Sequence, residues 1–100
     1  MSGRSKIYTK YKALIEMVNL RQLDVYRINK EDGKPSEIIR VMDPSTMKVI
    51  NIDLNAYRES LSYSEFLRKI REGLEKNGIP INDMAWNNAM KAVEAMDKGA

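Results

Sequence analysis

Asp43 and Asp53 flank a segment, DPSTMKVINID, that reads as a turn followed by a strand. Two carboxylates meeting across a hairpin would push one pKa up and set a general acid beside an ionised base. Each aspartate also has a plainer use: Asp43 before Pro44 starts a turn, and Asp53 alternates with apolar neighbours on a solvated strand face. The other groups that catalysis draws on are missing. The chain has no histidine and no cysteine, which removes the imidazole base, the thiol nucleophile and two common transition-metal ligands. No serine stands in a Gly-x-Ser-x-Gly elbow, and no Gly-x-x-x-x-Gly-Lys or Gly-x-Gly-x-x-Gly loop is present to cradle a phosphate. DLNAYRE, residues 53–59, opens like a calcium loop, but Tyr57 stands where the third oxygen ligand belongs and Arg58 replaces the turn glycine. The expectation is a non-enzymatic protein with no catalytic residue, metal or cofactor.

Binding chemistry is better represented. MSGRSKIYTKYK sets Arg4, Lys6, Lys10 and Lys12 around Tyr8 and Tyr11, and no acid precedes Glu16. Lysine and arginine neutralise phosphates and tyrosine stacks on unpaired bases, so Arg4, Lys6, Tyr8, Lys10 and Lys12 form a candidate nucleic-acid contact, with Arg68 and Arg71 as a second basic group. The charge is local: residues 13–100 carry thirteen bases against fourteen acids. Lysines are also ordinary on the wet side of an amphipathic helix, and Glu65 with Lys69 and Glu72 with Lys76 have the spacing of helix-supporting ion pairs.

Apolar side chains give the leading alternative. Trp86 and Met90 are expected in the core, whereas Met84 and Met96 of MAWNNAMKAVEAM are expected on an exposed, adaptable docking face. IIRVMD, residues 38–43, is apolar on both faces, which places Ile38 and Met42, with Val49 of the next strand, opposite the core. Such a face calls for a cover, from a larger protein or a second copy of the chain. The reading that follows is an adaptor or inhibitor that docks through Ile38, Met42, Val49, Met84 and Met96, with a nucleic-acid accessory protein as the alternative.

These residues need elements to hold them. From Ser5, Ile7, Tyr11, Leu14, Ile15 and Val18 recur every three or four residues, the period of one helix face, which turns Tyr11 inward and Lys6, Lys10 and Lys12 towards solvent. QLDVYRIN, residues 22–29, favours a strand, although Leu20 and Leu23 would also extend the helix. KEDGKPSE, residues 30–37, is a turn around Asp32-Gly33, followed by strands over 38–43 and 48–54 that form an antiparallel hairpin. In the last strand Ile50, Ile52 and Leu54 share one face, and Val49, Asn51 and Asp53 the other. Asn55 is a possible cap for a short turn. Ser62 with Glu65 has the capping-box spacing, Phe66, Ile70 and Leu74 follow at helical spacing, and Asn77-Gly78 supplies the stop. IPIND, residues 79–83, is extended and caps a terminal helix that ends before Gly99.

The fold expected is α+β, in the order α-β-β-β-α-α, with an antiparallel sheet and helices packed on one face. One hundred residues make a single domain, 1–100, with residues 1–4 flexible and 98–100 frayed. No apolar run is long enough for a bilayer and no secretory leader is visible, so a cytoplasmic protein without membrane contact is expected. The core order α-β-β-β-α resembles that of double-stranded-RNA-binding domains, but the basic, Gly-rich turn before their last helix has no counterpart: NIDLNAYRES has Arg58 as its one base. Element order by itself assigns no function.

Overall fold

The computed structural model describes the backbone of residues 3–99 and the side chains of residues 9–99. The elements run α1 (Gly3–Met17), β1 (Arg21–Asn29), β2 (Pro35–Asp43), β3 (Lys48–Asp53), a 3-10 turn (Arg58–Ser60), α2 (Tyr63–Lys76) and α3 (Asp83–Gly99). The expected α+β order is therefore the observed one. The strands form an antiparallel meander in the order β1-β2-β3.

Local chemistry explains where each element stops. Asn19 takes a left-handed conformation at φ 63°, its N–H donates to the Glu16 carbonyl and that of Leu20 to the Ile15 carbonyl. This pair of bonds ends α1 in a Schellman turn and turns Leu20 into the core, so the helix stops before β1. Gly78, at φ 68°, ends α2 in the same way, with the Ile79 N–H on the Leu74 carbonyl. Between β1 and β2, Gly33 (φ 81°) closes a tight turn in which the Lys30 N–H donates to the Lys34 carbonyl. The β2–β3 loop, residues 44–47, is held by the Asp43 carbonyl, which accepts from Thr46 and Met47 at 3.3 and 2.7 Å, and places Met47 at φ 62°.

One boundary differs from the sequence reading in a way that matters. Strand β2 begins at Pro35 rather than Ile38, so Ser36 and Glu37 belong to the sheet. Pro35 sits at the first strand position, where its missing N–H costs little. Asn55 does not cap the following turn; Tyr57 occupies that position. The last helix runs to Gly99 instead of ending before it, and Asn82 caps it by accepting from the Ala85 N–H at 3.0 Å.

The core lies between the sheet and the helices. Ile39, Val41, Ile50, Ile52 and Leu54 point inward from β2, β3 and the residue after it, and meet Tyr11, Leu14 and Ile15 of α1, Phe66, Leu67, Ile70 and Leu74 of α2, and Trp86, Ala89 and Val93 of α3. Helix α2 approaches β3 at Gly73, where an added Cβ would stand 2.7 Å from Ile52 Cγ1. The start of α2 is fully capped. Ser62 and Glu65 form the expected capping box, and the Asp97 carboxylate, arriving from α3, accepts the N–H groups of Tyr63 and Ser64 at 2.8 and 3.2 Å. These bonds satisfy all four donors that a helix start leaves open, the N–H groups of Ser62, Tyr63, Ser64 and Glu65, and Phe66 N–H on the Ser62 carbonyl begins the helix's own ladder.

Candidate interaction site

With the helices on one side, the pleat assigns the other side of the sheet to alternate residues. The register places Tyr26, Ile38 and Asp53 in one row across the three strands and Asp24, Arg40 and Asn51 in the next; Met42 then stands opposite Val49. Tyr26 and Val49 are each 47% exposed, Leu23 at the β1 bulge is exposed, and Met42 is half-buried. The polar members of this face bond to one another: Asp24 with Arg40 at 3.2 Å, and Asp53 with Lys30 at 2.9 Å and with the Ser36 hydroxyl. What remains for a partner is two apolar patches, Tyr26 beside Ile38 and Met42 beside Val49, with the Asp24–Arg40–Asn51 row between them.

The residues singled out from the sequence fall unevenly on this surface. Ile38, Met42 and Val49 do share the outer face, but Ile38 is buried by its neighbours in the row and offers little area. Met84 is exposed, on the first turn of α3 in the helical layer, apart from the sheet face. Met96, expected to be exposed, is half-buried against the core; Val93 and Met96 lie three residues apart and turn the same way. The exposure of Leu23 follows from a bulge that QLDVYRIN does not reveal, between Gln22 and Asp24, and that of Tyr26 from its place in the edge strand β1.

Among the basic residues, the side chains of Arg4, Lys6 and Tyr8 lie outside the described residues. Tyr11 is buried as expected, and Lys10 and Lys12 are exposed. Arg71 is engaged, 3.5 Å from Asp83 and 5.9 Å from the Trp86 ring centroid, while Arg68 is exposed. Neither expected ion pair on α2 forms: Glu65 turns back to Ser62, and Glu72 and Lys76 do not meet.

The largest feature absent from the sequence reading is a buried ionic network. Glu37, 1% exposed on the inner face, accepts from the Arg58 backbone N–H at 3.0 Å and from Arg58 Nε at 2.8 Å, and its other oxygen accepts from Arg27 Nε at 3.0 Å. Arg27 continues to Glu59 at 2.6 and 2.7 Å and lies 4.0 Å from the Tyr57 ring centroid. Tyr11 donates its hydroxyl to the Arg58 carbonyl at 2.9 Å. Burial first, then the nearby Tyr63 and Glu59, pushes the Tyr11 hydroxyl up to about 12. The network anchors the β3–α2 connection to the sheet and to α1. Its signal was the spacing Glu37, Ile39, Val41, which shares one face once β2 is lengthened by three residues.

The structure also disposes of the carboxylate pair. Asp43 stands opposite Lys48 at the turn end and Asp53 opposite Ile38 towards the other end of the hairpin, so they do not meet. Burial would raise both pKa values, but hydrogen bonds outweigh it: Thr46 and Ser45 hold Asp43 below the ordinary value, and Ser36, Lys30 and the Asn55 N–H do so for Asp53. No cluster of three or more acidic side chains suited to a metal occurs among the described residues, and no described helix is long and apolar enough to cross a membrane. A cleft of about 790 Å³ lies where the end of α1, the β2–β3 loop and the α2–α3 connection meet. Among its lining residues Val18, Leu20, Leu74, Ile79 and Trp86 are almost fully buried, and Pro44, Pro80 and Ile81 supply its more accessible apolar surface. Compared with protein-family models, curated proteins and solved structures, the chain matches none.

Proposed function

We propose that this protein is a small, non-catalytic adaptor or inhibitor that docks on a larger protein through the outer face of its sheet. The observation that carries the reading is the one-sided fold: Tyr26 and Val49 are exposed, and Met42 half-exposed, on a face with no helix over it. An uncovered antiparallel sheet ordinarily turns polar side chains to water, so Tyr26 on one side of the Asp24–Arg40 pair and Met42 with Val49 on the other give this face the mixed apolar and polar character of a protein interface. The fit of a protein partner over a phosphate backbone is supported by charge: the exposed bases of α2 are diluted by Glu72 and Glu75, and Arg71 is already paired.

Capture of partners from a native extract treated with nuclease tests this, using the tagged wild type, Tyr26→Asp/Val49→Asp and Met84→Lys. A stoichiometric protein retained by wild type and Met84→Lys but lost by the sheet-face variant is the expected result. Loss on Met84→Lys alone moves the site to α3. Recovery that disappears with nuclease, or with replacement of Lys10 and Lys12, establishes the nucleic-acid reading instead.

A further inference from the structure

Strand β3 has one side paired with β2 and the other open. The bond from the Leu54 N–H to the Glu37 carbonyl, 3.0 Å, fixes the phase of the ladder. Bonds in an antiparallel pair are exchanged at every second residue, so Ile52 with Ile39 and Ile50 with Val41 bond inward. The N–H and C=O groups of Val49, Asn51 and Asp53 therefore point to the open edge. Two observations distinguish this edge from the opposite one on β1. β1 is interrupted by its bulge, a device that discourages strand addition, whereas β3 is regular and contains no proline. In addition, α2 runs beside β3 and leaves a groove of about 350 Å³ between Asn51 and Asp53 on one side and Lys69, Glu72 and Lys76 on the other.

We infer that this groove receives an extended, acidic peptide segment, added as a fourth strand beside β3. The inference concerns the backbone edge of β3, which adjoins the sheet face at Val49, and does not depend on that reading. Backbone pairing to Val49, Asn51 and Asp53 supplies the register, as in other strand-addition sites that lie between an edge strand and a helix. Charge selects the occupant. Lys69 and Lys76 have no ion pair among the described residues, and Lys48 Nζ is held at the end of α2 by the Asn77 carbonyl, 2.9 Å away. The groove's acids are Glu72 and Asp53, and Asp53 is already paired with Lys30. Alternation then sets the pattern: acidic side chains on the α2 side, apolar ones beside Val49 on the outer side.

A labelled peptide of about seven residues alternating Val and Glu is the probe, with a Val/Lys peptide and an N-methylated Val/Glu peptide as controls. Titration into ¹⁵N-labelled full-length protein should shift and protect the Val49, Asn51 and Asp53 amides, and affinity should fall about tenfold in Lys69→Glu/Lys76→Glu. Glu72→Lys should tighten binding, N-methylation should abolish it, and raising salt from about 50 to about 500 mM should weaken it several-fold. Melting curves check that these surface variants remain folded. Equal binding of the Val/Lys peptide, shifts confined to β1 or to the Tyr26 face, or no shift at millimolar peptide would each overturn the inference, and none of these outcomes bears on capture through the sheet face.

Discussion

Glu37→Gln removes one negative charge from a place where water cannot replace it. In the wild type that carboxylate is 1% exposed and accepts three hydrogen bonds, two of them from Arg58, whose own side chain is 8% exposed. Removing one member of a buried pair typically costs about 3–5 kcal/mol because the other charge is left uncompensated. Glutamine keeps a carbonyl that can accept from the Arg58 N–H, so the expected loss is at the low end, about 3 kcal/mol. For a domain of this size that corresponds to a fall in Tm of roughly 12–24 °C. Arg27 behaves differently. Its side chain is 32% exposed, and its removal leaves Glu37 paired with Arg58, so Arg27→Met should cost about 1 kcal/mol and lose part of that difference in high salt. Urea unfolding of wild type, Glu37→Gln, Arg58→Met and the double variant completes the cycle. The double variant should be more stable than the sum of the single losses implies, with a coupling of at least about 1 kcal/mol. Additive single effects, or a Glu37→Gln loss under about 1 kcal/mol, would refute the claim that Glu37 and Arg58 act as a desolvated pair.

Three further perturbations test other joints of the fold. Asp97 is held below its ordinary value of 3.8 because hydrogen bonds from Ser64 and the Tyr63 and Ser64 N–H groups outweigh burial, so its contribution is complete above that value and lost as pH falls through the folded-state pKa. Asp97→Asn should therefore lower Tm at neutral pH, by about 1–2 kcal/mol in stability terms, and the gap to wild type should close in acid; a gap independent of pH would rule out the charge as the cause. Gly73→Ala gains about 1 kcal/mol of helix propensity but drives a methyl to 2.7 Å from Ile52 Cγ1, at an overpacking cost of about 1–3 kcal/mol. Net destabilisation is expected by thermal melting, and a rise in Tm would show that α2 and β3 do not approach so closely. Met47 occupies the left-handed region, so Met47→Asn should stabilise by about 0.5–1 kcal/mol and Met47→Val should destabilise; the reverse order in chemical denaturation would contradict the loop geometry.

Periodic features of the sequence were legible. The stripe from Tyr11 to Val18, the Ser62 capping box, the Gly78 stop and the inward set Ile50, Ile52 and Leu54 depend on neighbours a few residues away, and each appears where expected. The ambiguity over residues 20–29 resolves as a strand because Asn19, one of the residues that tolerate positive φ, stops α1. Features that depend on distant partners were not legible. Glu37 reads as a loop acid until Arg58, 21 residues away, is placed beside it, and nothing near Asp97 announces that its carboxylate caps a helix 34 residues back. For the candidate site, the strands supplied Ile38, Met42 and Val49 on one face, but how much of each is exposed depends on the side chains of adjacent strands. Ile38 was lost and Tyr26 gained for that reason.

The meander has a consequence for how the chain assembles. Each strand pairs with its neighbour in sequence, so the sheet can form from two short hairpins with little loop entropy to overcome. The bonds that fasten the helices span much longer loops: Tyr11 to Arg58 closes a separation of 47 residues, and Tyr63 to Asp97 one of 34. Sheet formation thus precedes helix locking in the most economical folding order. Until the helices arrive, the apolar inner face of that sheet is bare, and such a nascent hairpin pair is a substrate for chaperones or for aggregation.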